Sequence, residues 1–138
     1  MSYTFENHLE AIMDLGEYFP CLNVQDLAVS MAFYKKLNFT VTGDHSDEGW
    51  AVLQHNNMVL CLYQGHILNN LINFRGGDIP SIVKEGEKAG LEFSKPAEVE
   101  PDGSWGAEII DPDGNVIYFN TFPDERETYL QKGTLNND

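Results

Sequence analysis

The chain is poor in positive charge. Of its 138 residues, 8 are Lys or Arg and 22 are Asp or Glu, giving a net charge of −14. Such a balance excludes a nucleic-acid backbone or an anionic membrane surface as partner. It leaves room for a cationic ligand, although solubility alone accounts for many acidic proteins. Cysteine is scarce too. Cys21 and Cys61 are the only two, which is no disulfide framework, so a cytoplasmic protein with reduced thiols is expected. No apolar run approaches the ~20 residues of a membrane span. The first residues lack the basic and then apolar pattern of a signal peptide. There is no Gly-x-Ser-x-Gly, no phosphate-cradling glycine loop and no Cys-x-x-Cys. His45, His55 and His66 lack ligand spacing, and surface placement is expected for each.

What is present fits one domain spanning residues 1–138, and 42% hydrophobic residues suffice for a core. Phe5, Leu9, Ile12 and Met13 recur at helical spacing and predict an N-terminal helix over 4–15. A strand is expected from Tyr18 to Val24, interrupted at Pro20. Asp26 then caps a helix from Leu27 to Leu37, with Asn38 as its left-handed end. Strands follow at Phe39–Gly43, Trp50–His55 and Met58–Gln64, the last two joined by the tight turn Asn56-Asn57.

The pattern then restarts. Leu71–Arg75 reads as a strand, and Asp78 caps a helix from Ile79 to Ala89 with Pro80 in its first turn. A short strand is expected at Leu91–Ser94, a turn-rich connection over Lys95–Gly103, and strands at Trp105–Ile110 and Asn115–Thr121. Asp111-Pro112-Asp113-Gly114 is the turn between those two. The tail, 122–138, carries one exposed helix up to Gly133. The halves match in spacing: Asp26 to Asn38 and Asp78 to Gly90 are equal intervals, and each Asp follows a strand with Asn at its middle. Such a repeat says more than either half alone. The fold class is α+β, with module one at 18–64 and module two at 67–121.

Cys21-Leu22-Asn23-Val24-Gln25-Asp26-Leu27, Phe33-Tyr34-Lys35-Lys36-Leu37-Asn38-Phe39, Asn73-Phe74-Arg75 and Asp111-Pro112-Asp113-Gly114-Asn115 together resemble the vicinal-oxygen-chelate superfamily, the glyoxalase, bleomycin-resistance and extradiol-dioxygenase group. The resemblance covers about residues 18–121. It implies two tandem βαβββ modules whose mixed sheets curl around a cleft, with helices on the outer face. Gly49-Trp50-Ala51-Val52-Leu53-Gln54 and Trp105-Gly106 look most like the bleomycin-resistance proteins, dimers that sequester a cationic antibiotic without catalysis. The superfamily's metal positions fall here on Phe19, Cys61, Leu71 and Tyr118. Phe and Leu cannot ligate a metal, and Cys with Tyr is not the His and carboxylate set a divalent ion wants. No metal and no cofactor are therefore expected.

Strand alternation gives an independent reading. Leu22, Val24, Leu60, Leu62, Ile72, Phe74, Ile117 and Phe119 share one parity and are apolar, so that face packs on helices. The other parity carries Cys21, Asn23, Val59, Cys61, Tyr63, Leu71, Asn73, Arg75, Val116, Tyr118 and Asn120. A half-exposed sheet alternates in the same way. The functional alternative is a cleft whose ligand-binding residues are Asn23, Trp50, Cys61, Tyr63, Asn73, Arg75, Trp105, Tyr118 and Asn120. Trp50 and Trp105 either wall the opening or lie in the core. Cys61 as a nucleophile would need a nearby base or cation, and the sequence names none.

Three functions stand. The first is a metal-free, homodimeric small-molecule binding protein for a cationic or aromatic ligand, with drug sequestration (antibiotic resistance) as one form. The second is a glyoxalase- or dioxygenase-like enzyme, a lyase or oxidoreductase using a metal on atypical ligands. The third is a vestigial module acting by dimerisation.

Overall fold

The computed structural model describes residues 13–136, with side chains through residue 131. The expected N-terminal helix lies almost wholly outside these residues, and residues 13–15 are not helical. The elements are β1 (Gly16–Tyr18), β2 (Cys21–Asn23), α1 (Leu27–Lys36), β3 (Thr40–His45), β4 (Trp50–His55), β5 (Met58–Tyr63), β6 (Ile72–Gly76), α2 (Ile79–Lys88), β7 (Lys95–Val99), β8 (Trp105–Ile110), β9 (Val116–Asn120) and α3 (Pro123–Asn136).

The two halves repeat one topology. In one sheet the order is β2-β5-β4-β3, and in the other it is β6-β9-β8-β7 with β1 added beside β6. In each, the first strand of the module pairs in parallel with the last, and the hairpins are antiparallel. The expected strand over Tyr18–Val24 is split at Phe19 and Pro20. Its first part joins module two and its second joins module one, because Pro20 has no N–H to continue a ladder. An antiparallel bridge between Cys21 and Leu71 stitches the sheets along this crossing, with amide bonds in both directions (3.0 and 2.8 Å) and Phe19 N–H donating to Asn73 C=O at 2.8 Å.

Both helices start where expected. Asp26 accepts from the Val29 N–H at 3.2 Å and Asp78 from the Ser81 N–H at 3.3 Å, each satisfying an amide that the first turn leaves free. Asn38 takes φ of 70°, as its place after α1 requires. Leu27 and Met31 of α1 pack with Ala51, Leu53, Leu60 and Leu62. Ile79, Ile82 and Val83 of α2 pack with Trp105, Ala107, Ile109 and Phe119. These layers fix one face of the sheets toward the helices and leave the other for the cleft.

Two expectations about module two are corrected. Leu91–Ser94 is not a strand; the strand is Lys95–Val99, inside the expected connection. It is an edge strand with Pro96 and a register irregularity between Lys95 and Glu98. Charge, proline and irregular register are the ways an exposed edge is protected from pairing, and they also hide it from pattern reading. The tail helix continues past Gly133 to Asn136.

Candidate functional site

The crossing of the sheets creates a cavity of about 180 Å³ lined by Phe19, Trp50, Val52, Cys61, Tyr63, Asn73, Arg75, Asn120 and Phe122. Six expected site residues meet there: Trp50, Cys61, Tyr63, Asn73, Arg75 and Asn120. They converge because strands β4, β5, β6 and β9 present one parity to the same side.

One wall is a ladder of rings. His45, Trp50 and Tyr63 are direct cross-strand partners. His45 stacks on Trp50 with centroids 3.9 Å apart, and Trp50 lies nearly parallel to Tyr63 at 5.9 Å. The Trp50 indole N–H donates to Glu48 Oε2 at 3.3 Å. His66 meets Tyr63 edge-on, and its Nε2 lies 2.6 Å from the Glu48 carbonyl. Burial pushes the Tyr63 phenol up, and the neighbouring Cys21 and Cys61 add to the shift.

Opposite stands Arg75. Its guanidinium lies over the rings of both Phe19 and Phe122, 4.5 Å from each centroid. Glu125 Oε2 is 3.5 Å from Arg75 Nε, with both side chains about one quarter exposed. Beyond this ion pair the Arg75 side chain makes no hydrogen bond among the described residues, and its Nε is buried. Asn120 Oδ1 is likewise buried with no hydrogen-bond partner among the described residues. Asn73, 5% exposed, adds a third polar side chain.

Cys61 sits at the floor, paired in register with Cys21 on the neighbouring strand, and both thiols are free and buried. The thiol of Cys21 pulls the Cys61 pKa below that of an ordinary cysteine, and the charge of Arg75 helps. Cys21 is pushed the other way by its bond to Cys61 and by burial. The cation that the sequence could not name for Cys61 is thus Arg75.

Three expected site residues are elsewhere. Trp105 is 8% exposed within the module-two core, its ring 6.1 Å from Tyr129 and under the Arg126 guanidinium at 5.6 Å. Its parity on β8 is that of Ala107 and Ile109, which face α2, so it cannot wall the cleft. Asn23 is exposed and bonds through its backbone N–H to Asn70 Oδ1 at 2.9 Å. Tyr118 lines a separate groove with Leu71, Glu108 and Val116. Its hydroxyl faces Glu100 at 3.5 Å, and burial, with that carboxylate, pushes its pKa up to about 12. Phe19 and Phe122 were missed as site residues. Phe122 continues the parity of Tyr118 and Asn120 past the strand end, a signal that was available.

The metal positions implied by the resemblance do not converge either. Phe19 and Cys61 line the cavity, whereas Leu71 and Tyr118 line the other groove. Among the described residues, no three His, Cys, Asp or Glu side chains are grouped to hold a metal ion. An arginine in the lining further disfavours a divalent cation. The residues do not fit a resident metal.

Two sheets of repeated βαβββ topology around such a cleft define the fold of the glyoxalase/bleomycin resistance protein/dioxygenase superfamily. A member of that superfamily from Vibrio splendidus 12B01 superposes with a TM-score of 0.62 at 20% identity, covering 76% of this chain and 97% of that one. A Legionella pneumophila structure described as an NAD-dependent benzaldehyde dehydrogenase gives 0.64 at 15% identity, covering 76% and 98%. The Mn(II)-bound glyoxalase of Novosphingobium aromaticivorans gives 0.52 at 19% identity, covering 80% of this chain and 40% of that one. No family model matches the chain, and no curated protein sequence does. No helix among the described residues is long and apolar enough to cross a membrane.

Proposed function

We propose that the protein is a metal-free small-molecule binding protein of the cytoplasm, acting as a homodimer. The observation that supports this is the cavity itself: stacked rings on one wall, a guanidinium against two rings on the other, and buried polar atoms without a hydrogen bond among the described residues. Mostly apolar walls with a few converging polar groups are the common character of small-ligand sites. The volume, about 180 Å³, falls below the ~300–1,000 Å³ of drug-sized sites. The ligand is therefore small, and sequestration of a large antibiotic is not the form this reading takes. Two free thiols support a reducing compartment. Val29 and Phe33 of α1, with Leu37 just past its end, are exposed and support association.

Two measurements test the reading. Elemental analysis of the purified protein should find no stoichiometric manganese, zinc, iron or nickel. One tightly held equivalent that disappears on changing Cys61 would defeat the metal-free assignment. A thermal-shift screen of small metabolites should yield stabilising ligands, since binding at 100 times Kd adds ~2.7 kcal/mol. Hits should vanish when Trp50 is replaced by Ala.

A further inference from the structure

We infer that the cavity takes a single-ring aromatic or heteroaromatic carboxylate, with its acid group on Arg75. This deepens the small-molecule reading and rests on it. Size sets the first limit. An apolar cavity of ~150 Å³ accommodates benzene, so about 180 Å³ holds one ring with one small substituent.

Wall chemistry sets the second. Trp50 and Tyr63 are nearly parallel, with an interplanar angle of 13°, and form an aromatic wall to the cavity. The third limit is charge. Although the whole chain carries −14, none of the nine lining residues is Asp or Glu, and one is Arg. The nearest carboxylates, Glu125 beside Arg75 and Glu48 at the Trp50 indole N–H, lie outside the lining, and charges farther than ~8 Å are screened in physiological salt.

Arg75 is prepared for an anion. The rings of Phe19 and Phe122 both pack against its guanidinium. Glu125 pairs with Nε at 3.5 Å, and its other oxygen already accepts the Phe122 N–H at 2.7 Å. A partly exposed pair at that distance contributes little. Among the described residues the guanidinium makes that ion pair and no hydrogen bond, and a planar fork of donors matches a carboxylate better than any neutral group does. Asn120, with its unpartnered oxygen, offers an amide that accepts from a ring N–H or hydroxyl, or turns over to donate.

The test is calorimetric titration with benzoate, benzamide and benzylamine, three probes of one shape and different charge. Benzoate should bind about tenfold tighter than benzamide or better, as a charge-assisted pair exceeds a neutral one, and benzylamine should bind least. Arg75→Met should bring benzoate down to the level of benzamide. Should that variant fail to fold after losing its stacked guanidinium, Asn120→Asp carries the test. It places a carboxylate in the cavity and should reverse the order of benzoate and benzylamine on the same protein. Benzamide or benzylamine binding as tightly as benzoate overturns the carboxylate assignment and leaves the small-molecule reading standing. No heat from any probe at millimolar concentration overturns both.

Discussion

Two adjacent buried thiols have their pKa values moved in opposite directions. Cys21 and Cys61 are register partners on parallel strands, both buried, yet only Cys61 has its pKa lowered. The larger cause is the Cys21 thiol, and the smaller is the charge of Arg75. A lowered pKa means more thiolate at a given pH, so Cys61 should be alkylated before Cys21 as pH rises. Removing the donor should move the midpoint of Cys61 upward. Cys21→Ala is therefore expected to shift the pH–rate profile of Cys61 alkylation to higher pH, while Cys21→Ser, which keeps a hydrogen-bond donor, shifts it less. Mass spectrometry after timed iodoacetamide pulses reads both sites. Identical midpoints in the wild type and both variants would show that the thiol pair is not coupled. Sequence alone placed both cysteines on the cleft face by parity, but not Arg75 within electrostatic range of Cys61, because that proximity arises only where the two sheets cross.

Elements with one clear job were legible. The helices were, since Asp26 and Asp78 mark their starts and each packs one apolar face on its own sheet. The central strands were, since alternation reports which side meets a helix. The edge strand β7 was not, because its exposed residues are free to be charged and its Pro96 costs no central ladder bond. For Trp105 the resemblance favoured the cleft while the core stayed open, and the parity of its own strand puts it in the core. Gly86 is a case where propensity misleads. It sits inside α2, where Ala for Gly would ordinarily gain ~0.5–1 kcal/mol. A methyl there, however, would come within 2.7 and 2.9 Å of the Phe93 ring, which packs on the module-two core. Overpacking of this kind costs ~1–3 kcal/mol. Gly86→Ala should therefore destabilise, by about 1 kcal/mol net. Chemical denaturation decides it, and a more stable variant would mean that Phe93 moves aside freely.

At the scale of the whole molecule, α1 is the anomaly. One face carries Leu27 and Met31 into the module-one core. The opposite face shows Val29 and Phe33, continued by the C-cap residue Leu37, spaced four residues apart and 64%, 58% and 54% exposed. A helix that is apolar on more than its core stripe is characteristic of burial on both sides. A second copy meeting this stripe across a two-fold axis would cover it with the same residues from both chains, as an isologous interface does. The charge of −14 opposes close approach of two copies, so association should strengthen with added salt, unlike attraction between opposite charges. Light scattering at micromolar concentration should give the mass of two chains, rising from partial to complete dimer as salt is raised. Phe33→Glu should return the mass of one chain at all salt concentrations while leaving the benzoate titration intact, since Phe33 does not line the cavity. A wild-type monomer at high salt would remove the dimer from the proposal. Loss of ligand binding in Phe33→Glu, with the fold retained, would show instead that the cavity depends on the partner copy.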